Sequence, residues 1–176
     1  MNKEPEARDG QIQGRVQTAP MAAPSALSRT PREMSAEAVV RLFVEAINEG
    51  DLERLSALMT EDHLFKDSDG SEVRGRQDVV AAWTAFFSAV RAYKVCVQEV
   101  FRARHIVVIV GTAEGFCASS SACARESRWC VPAAWRAVVH AGRVAVWQVF
   151  VNPDPILAAM RESGEDPRGG EKPCQV

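Results

Sequence analysis

Residues 43–52 read FVEAINEGDL and mark the end of one helix and the beginning of the next. Gly50 is typical of the left-handed residue that ends a helix, and Asp51 can cap a second, short helix. Upstream, Ser35 and Thr30 are candidate N-caps for the first helix. Apolar residues recur between these signals at the spacing of one helix face, at Val39, Val40, Phe43, Val44 and Ile47. The sequence therefore predicts a long N-terminal helix that buries one face.

The apolar period changes from helical to alternating after Arg91. Residues 75–90 predict a third helix, and residues 63–67 predict a short strand that ends in a turn. Four further strands are predicted over 93–102, 105–116, 127–140 and 143–151, with a short closing helix after residue 155. Helices followed by a run of antiparallel strands indicate an α+β fold, with the helices packed on one face of a curved sheet.

The composition predicts one folded domain between two disordered tails. Residues 1–34 contain four prolines and no periodic apolar pattern, and residues 163–176 are equally polar, so we expect both to be disordered. Residues 35–162 remain for the domain. The chain has 21 basic and 23 acidic residues, and this balance does not favour nucleic-acid binding. Its longest apolar run, residues 106–110, is far too short for a membrane helix.

The five cysteines, Cys96, Cys117, Cys123, Cys130 and Cys174, form no CxxC pair, and the first 30 residues contain no apolar signal region. We therefore expect a cytoplasmic protein with free thiols and no metal site. Glycine-rich nucleotide motifs are absent as well, so no cofactor is predicted.

Several segments together resemble the nuclear transport factor 2-like superfamily, and within it the SnoaL-like polyketide cyclases and the ketosteroid isomerases. The resemblance spans about residues 36–160 and rests on residues 43–52, 60–63, 66–70, 75–76 and 142–150. It implies a cone in which a curved antiparallel sheet wraps around the long N-terminal helix. It also implies an apolar cavity at the wide end and a homodimer formed through the convex face of the sheet.

The aromatic content fits such a cavity, because it exceeds what a small core needs. We predict that a small hydrophobic ligand contacts eight residues, which are Phe43, Phe65, Trp83, Phe87, Trp129, Ala134, Trp147 and Val149. The alternative is that the aromatic side chains simply fill the core of the cone.

Asp67 is the candidate catalytic base. It ends an apolar strand, and the resemblance to the isomerases implies a carboxylate there, held in an apolar pocket, that moves a proton next to a carbonyl. Alternatively, Asp67 caps the turn formed by residues 68–70. Alternation along a strand places His63, Phe65 and Asp67 on one face, so His63 is a candidate proton shuttle at the cavity mouth. Its alternative is a solvated position at the rim.

The hydrogen-bond donors of the isomerase branch are not matched, because Phe43 and Ala134 occupy the positions of its tyrosine and aspartic acid. The function predicted from the sequence is a cofactor-free enzyme of secondary metabolism. It would act on a polyketide-, steroid- or terpenoid-like metabolite by general acid/base chemistry, as an isomerase, cyclase or dehydratase. A domain of the same fold that binds a small molecule without catalysis, or that binds a protein through its convex face, is the alternative.

Overall fold

A computed structural model describes residues 34–117 and 127–163 of the chain. Apart from Met34 and Ser163, the two predicted tails lie outside these ranges. The helices and strands follow in the order α1 Ala36–Glu49, α2 Leu52–Ala57, β1 Met59–Lys66, β2 Glu72–Arg74, α3 Arg76–Ala89, β3 Val90–Ala103, β4 Ile106–Cys117, β5 Ser127–His140, β6 Arg143–Val151 and α4 Asp154–Ser163. None of the described helices is long and apolar enough to cross a membrane.

The caps predicted at Ser35, Gly50 and Asp51 are confirmed, whereas Thr30 lies outside the described residues. The Ser35 side chain accepts a hydrogen bond from the Ala38 amide at 3.2 Å. Gly50 ends α1 in the left-handed region with φ 68°, and the Asp51 side chain accepts from the Arg54 amide at 2.9 Å. One face of α1 is buried as the apolar spacing predicts, through Val39, Val40, Phe43, Val44, Ala46 and Ile47. Local sequence signals therefore set the length and orientation of α1.

The six strands form one sheet in the order β2-β1-β6-β5-β4-β3. Strands β3 to β6 follow one another as antiparallel neighbours, whereas β1 pairs with β6 in parallel. The sheet is therefore mixed, which corrects the prediction of a purely antiparallel one. The reason lies in the connection: α3 takes the chain from the β2 edge to the β3 edge, and the strands then return until β6 reaches β1.

Two irregularities in β3 accompany the curvature of the sheet. The pairing of β3 with β4 shifts between Arg91 and Lys94 and again between Val97 and Glu99. At the first shift Ala92 has φ 49°, which is uncommon for a residue other than glycine. Bulges of this kind bend a strand and increase its twist. The concave face of the bent sheet encloses α1, and Phe43 of this helix packs on Trp147 of β6.

Candidate functional site

A cavity of about 400 Å³ lies between α3, α4 and the concave face of the sheet. Helix α3 contributes Val79, Ala82, Trp83 and Phe86, and α4 contributes Ile156, Leu157 and Met160. The strands and their connections contribute Phe65, Asp67, Ser68, Ser71, Val73, Tyr93, Ala113, Trp129, Val149, Val151 and Pro153. The described lining is thus mostly apolar, and its ionisable side chains are those of Asp67 and Tyr93.

Five aromatic rings form a continuous wall of this cavity. Phe65 and Trp83 have ring centroids 6.2 Å apart, and Trp83 and Phe86 have centroids 5.6 Å apart. Phe86 continues the wall to Tyr93 at 4.9 Å, and Tyr93 continues it to Trp129 at 6.0 Å. We call these five residues the aromatic wall. Contacts between neighbouring rings stabilise such an arrangement beyond the area they bury.

The bulge at Ala92 orients Tyr93. Because Ala92 and Tyr93 together stand opposite Gly115 of β4, the side chains of both Val90 and Tyr93 lie on the concave face. Burial is the main influence on the pKa of the Tyr93 hydroxyl and raises it. The indole of Trp135 lowers this pKa by a smaller amount, and the negative charge of Asp67 raises it slightly. The hydroxyl therefore stays protonated and neutral inside the cavity.

Asp67 lies at the rim, immediately after β1. Its Oδ1 accepts hydrogen bonds from the amide of Ser68 at 2.6 Å and from the Ser68 hydroxyl at 3.1 Å. Its Oδ2 has no hydrogen-bond partner among the described residues. The side chain is exposed, which corrects the expectation of a carboxylate held inside an apolar pocket. The side chain of Asp69 also stabilises this turn, because it accepts a hydrogen bond from the Ser71 amide at 2.8 Å.

His63 does not reach the cavity mouth. It is completely buried, its Nδ1 lies 2.7 Å from the carbonyl oxygen of Val144, and its ring packs on Phe43 with centroids 5.9 Å apart. Since a carbonyl only accepts, Nδ1 holds the proton and donates it. Burial lowers the pKa of the imidazole. This position corrects both the predicted pairing of His63 with Asp67 and the alternative of a solvated His63.

The eight residues predicted to contact a ligand separate into two groups. Phe65, Trp83, Trp129 and Val149 line the cavity. Four others are outside its described lining, and they are Phe43 and Trp147 in the core under α1, Phe87 beside Trp83, and Ala134 on the convex face between Val110 and Phe150. This cavity gives no support to a ligand contact of these four residues, which stays a prediction. Residues 133 and 135 of β5 are buried, so alternation turns Ala134 outward.

Sequence reasoning missed Tyr93 and the three cavity residues of α4. The sequence places Tyr93 at the beginning of a strand, but the bulge that directs it inward has no clear sequence signal. The apolar spacing of Ile156, Leu157 and Met160 predicts a short helix, yet it does not tell which surface that helix covers. Within residues 34–117 and 127–163, no group of three His, Cys, Asp or Glu side chains is placed to hold a metal ion.

Comparison with known proteins defines the class. Residues 40–147 match the model of the SnoaL-like domain, and the chain therefore belongs to this family. No curated protein matches the sequence.

Solved structures share the fold. One is a candidate SnoaL-like polyketide cyclase from Shewanella denitrificans, with a TM-score of 0.64 and 13% identity over 72% of this chain and 96% of that one. A candidate polyketide cyclase from Pseudomonas putida has a TM-score of 0.64 and 18% identity over 72% and 98%. A protein with a ketosteroid isomerase-like fold from Catenulispora acidiphila, in complex with trimethylamine, has a TM-score of 0.59 and 19% identity over 75% and 95%. The predicted nuclear transport factor 2-like cone is thus confirmed.

Proposed function

We propose that this SnoaL-like domain binds a small, largely apolar molecule in the cavity between α3, α4 and the sheet. The observation that supports this most directly is the cavity itself, because about 400 Å³ lined by aromatic and aliphatic side chains is typical of small-molecule sites. The few polar groups lie at the Asp67 turn and at Tyr93. A small ligand in the Catenulispora relative agrees with a binding role.

Binding can be tested with the neutral dye 6-propionyl-2-(dimethylamino)naphthalene, whose emission moves to shorter wavelength in apolar surroundings. We expect saturable binding to the full chain. Val149→Phe adds a ring to the cavity wall, so it should weaken binding at least about tenfold by occupying the space of the ligand. The matched control is Val110→Phe on the convex face, which should bind like wild type. Absence of saturable binding, or equal loss in both variants, would overturn the proposal.

General base catalysis on the bound molecule is the second candidate function, and the presence of both Asp67 and Tyr93 in the lining of one cavity favours it. The carboxylate at the rim can accept a proton, and the neutral hydroxyl of Tyr93 can donate a hydrogen bond to an oxygen on which charge develops. A base and a hydrogen-bond donor are both needed to move a proton next to a carbonyl, as in isomerisation, cyclisation or dehydration. Tyr93 would thus supply a donor that the sequence comparison with the isomerases did not find.

This chemistry can be measured as the exchange of α-hydrogens of 2-tetralone for deuterium in D2O by NMR. We expect wild type to accelerate the exchange and Asp67→Asn to slow it by about 100-fold, while the dye still binds. Asp69→Asn, in the same turn but outside the described cavity lining, is the control and should exchange at the wild-type rate. Equal exchange by wild type and Asp67→Asn would remove Asp67 as the base.

A further inference from the structure

We propose that the cavity recognises a positively charged ammonium group, that is, a tertiary or quaternary amine attached to an apolar ligand. The inference rests on the proposed binding function and names its ligand class. It depends on two properties of the cavity, which are the mutual orientation of the rings in the aromatic wall and the sign of the charge at the rim.

The rings of the aromatic wall face in different directions. The plane of Phe86 stands at 86° to that of Trp83 and at 89° to that of Tyr93, while Trp83 and Tyr93 are inclined at 46°. The face of an aromatic ring carries negative charge density, and a cation within about 6 Å of a ring centroid is attracted to it. Trp83, Phe86 and Tyr93 all line the cavity, so a cation inside it lies beside several rings at once.

The charged side chain in the described lining of the cavity is negative. Asp67 contributes a carboxylate with Oδ2 unpaired among the described residues, and the described lining contains no lysine, arginine or histidine. The neighbouring Lys66 forms an ion pair with Glu72 and is not part of the lining. Tyr93 adds no charge, because its hydroxyl stays protonated. A cation that enters this cavity meets attraction from the rim and from the rings together.

A purely apolar ligand would fit the same space less well. It would give the carboxylate of Asp67 no partner of opposite charge, and any water that it displaces from this carboxylate costs free energy. An ammonium group at the rim offsets this cost because it supplies the opposite charge. The alkyl substituents of the ammonium group would contact aliphatic residues of the cavity lining, including Val149 and Ile156.

The test uses two probes of nearly identical shape. Choline and 3,3-dimethylbutan-1-ol differ in having a quaternary nitrogen or a quaternary carbon, so any difference in affinity reports the charge. We expect choline to bind the wild-type chain at least about tenfold more tightly than the neutral alcohol, measured by calorimetry and by displacement of the naphthalene dye. Equal affinity of the two probes would overturn ammonium recognition, while binding of the dye would leave the proposed function intact.

Variants separate the ring and carboxylate contributions. Phe86→Leu keeps an apolar side chain but removes a ring, and Asp67→Asn removes the charge, so each should reduce the ratio of choline affinity to that of the neutral alcohol. Asp69→Asn should retain the full preference, because Asp69 is not among the residues that line the cavity. If choline discrimination survives both Phe86→Leu and Asp67→Asn, the cation is bound elsewhere and the inference is wrong. If the wild-type chain binds neither choline nor the dye, the proposed function itself is wrong.

Discussion

Gly111 of β4 lies directly against the backbone of Cys96 in β3: a Cβ at position 111 would be 2.0 Å from the carbonyl oxygen of Cys96. The close approach occurs beside the second bulge of β3, where the pairing shifts between Val97 and Glu99. No movement of a flexible side chain can relieve this collision, since the obstructing atom belongs to the backbone of the neighbouring strand. Glycine at this position therefore permits the bend of the sheet.

Gly111→Ala should destabilise the protein by about 2 kcal/mol or more, because β3 and β4 must separate to accept the methyl group. The measurement is the free energy of unfolding from denaturant titration. Gly70→Ala is the control, since a Cβ there has no neighbour within 4 Å and only the positive φ of 88° opposes it. We expect about 1 kcal/mol for that variant. An equal loss in both would contradict the steric argument.

Asn48 joins the end of α1 to β3 through two hydrogen bonds. Its Oδ1 accepts from the amide of Val95 at 2.7 Å, and its Nδ2 donates to the Val95 carbonyl at 3.1 Å. Asn48→Leu leaves both backbone groups without partners, and we expect a loss of about 3 kcal/mol in the free energy of unfolding. Asn48→Asp keeps the acceptor and should lose less. Glu49→Ala, which removes only an exposed ion pair with Arg54, should change stability by less than about 1 kcal/mol.

The buried His63 should make stability sensitive to acid. Burial lowers the pKa of its imidazole in the folded state, so below about pH 6.5 the unfolded chain binds a proton that the folded chain does not. The contribution of His63 is thus complete above that pH and is lost as the pH falls towards the folded pKa. The slope of unfolding free energy against pH should reach at most about 1.4 kcal/mol per pH unit from this residue.

Replacing His63 by Gln should flatten this slope between pH 7 and pH 5, although the variant is less stable at pH 7. The control is His105→Gln at an exposed position, which should keep the wild-type slope. Thermal unfolding at several pH values gives the comparison. A slope that is the same in His63→Gln and wild type would show that other groups produce the acid sensitivity.

A row of apolar residues on the convex face agrees with the expectation that the chain forms a homodimer. Val110, Ala134 and Phe150 are paired neighbours on three adjacent strands, and Phe150 is 49% exposed. Adjoining exposed apolar side chains of this kind mark interaction surfaces. We expect a homodimer in sedimentation velocity, and Phe150→Arg should raise its dissociation constant at least about tenfold.

The control for self-association is Val97→Arg. Val97 is also partly exposed, at 37%, but it lines a groove beside α1 rather than the row on the convex face. This variant should sediment like wild type. A monomeric wild-type protein would rule out the dimer, and equal dissociation in both variants would place the interface elsewhere.

Features of this fold that depend on neighbouring residues could be read from the sequence. The capping side chains of Ser35 and Asp51 and the left-handed Gly50 act within one helical turn, so the pattern alone locates both helices. Alternating apolar residues also predict the bounds of β5 and β6, because alternation is a property of each strand by itself. Pairing partners are chosen by distant segments, and nothing in β1 itself reveals its parallel alignment with β6.

The candidate site was harder to predict, because it depends on irregular backbone. Alternation predicts that His63 and Phe65 share a face, and both lie on the concave face. It does not tell that His63 lies under α1 against Phe43, whereas Phe65 lines the cavity. At Ala92 the bulge brings Tyr93 into the cavity, and alanine is not a residue that signals a positive φ. The place of Asp67 after an apolar strand predicts its position at the cavity, whereas its exposure depends on the turn geometry around Ser68.

The central position of the β1–β6 pair has a consequence for biosynthesis. Strand β1 begins at Met59, but its partner β6 ends at Val151, so the ribosome must release nearly the whole domain before these strands can meet. Until then β1 exposes an unpaired edge to other nascent chains. A protein truncated before β6 would therefore lack the strand that links β1 to the rest of the sheet, and premature termination should yield aggregates rather than a smaller folded domain.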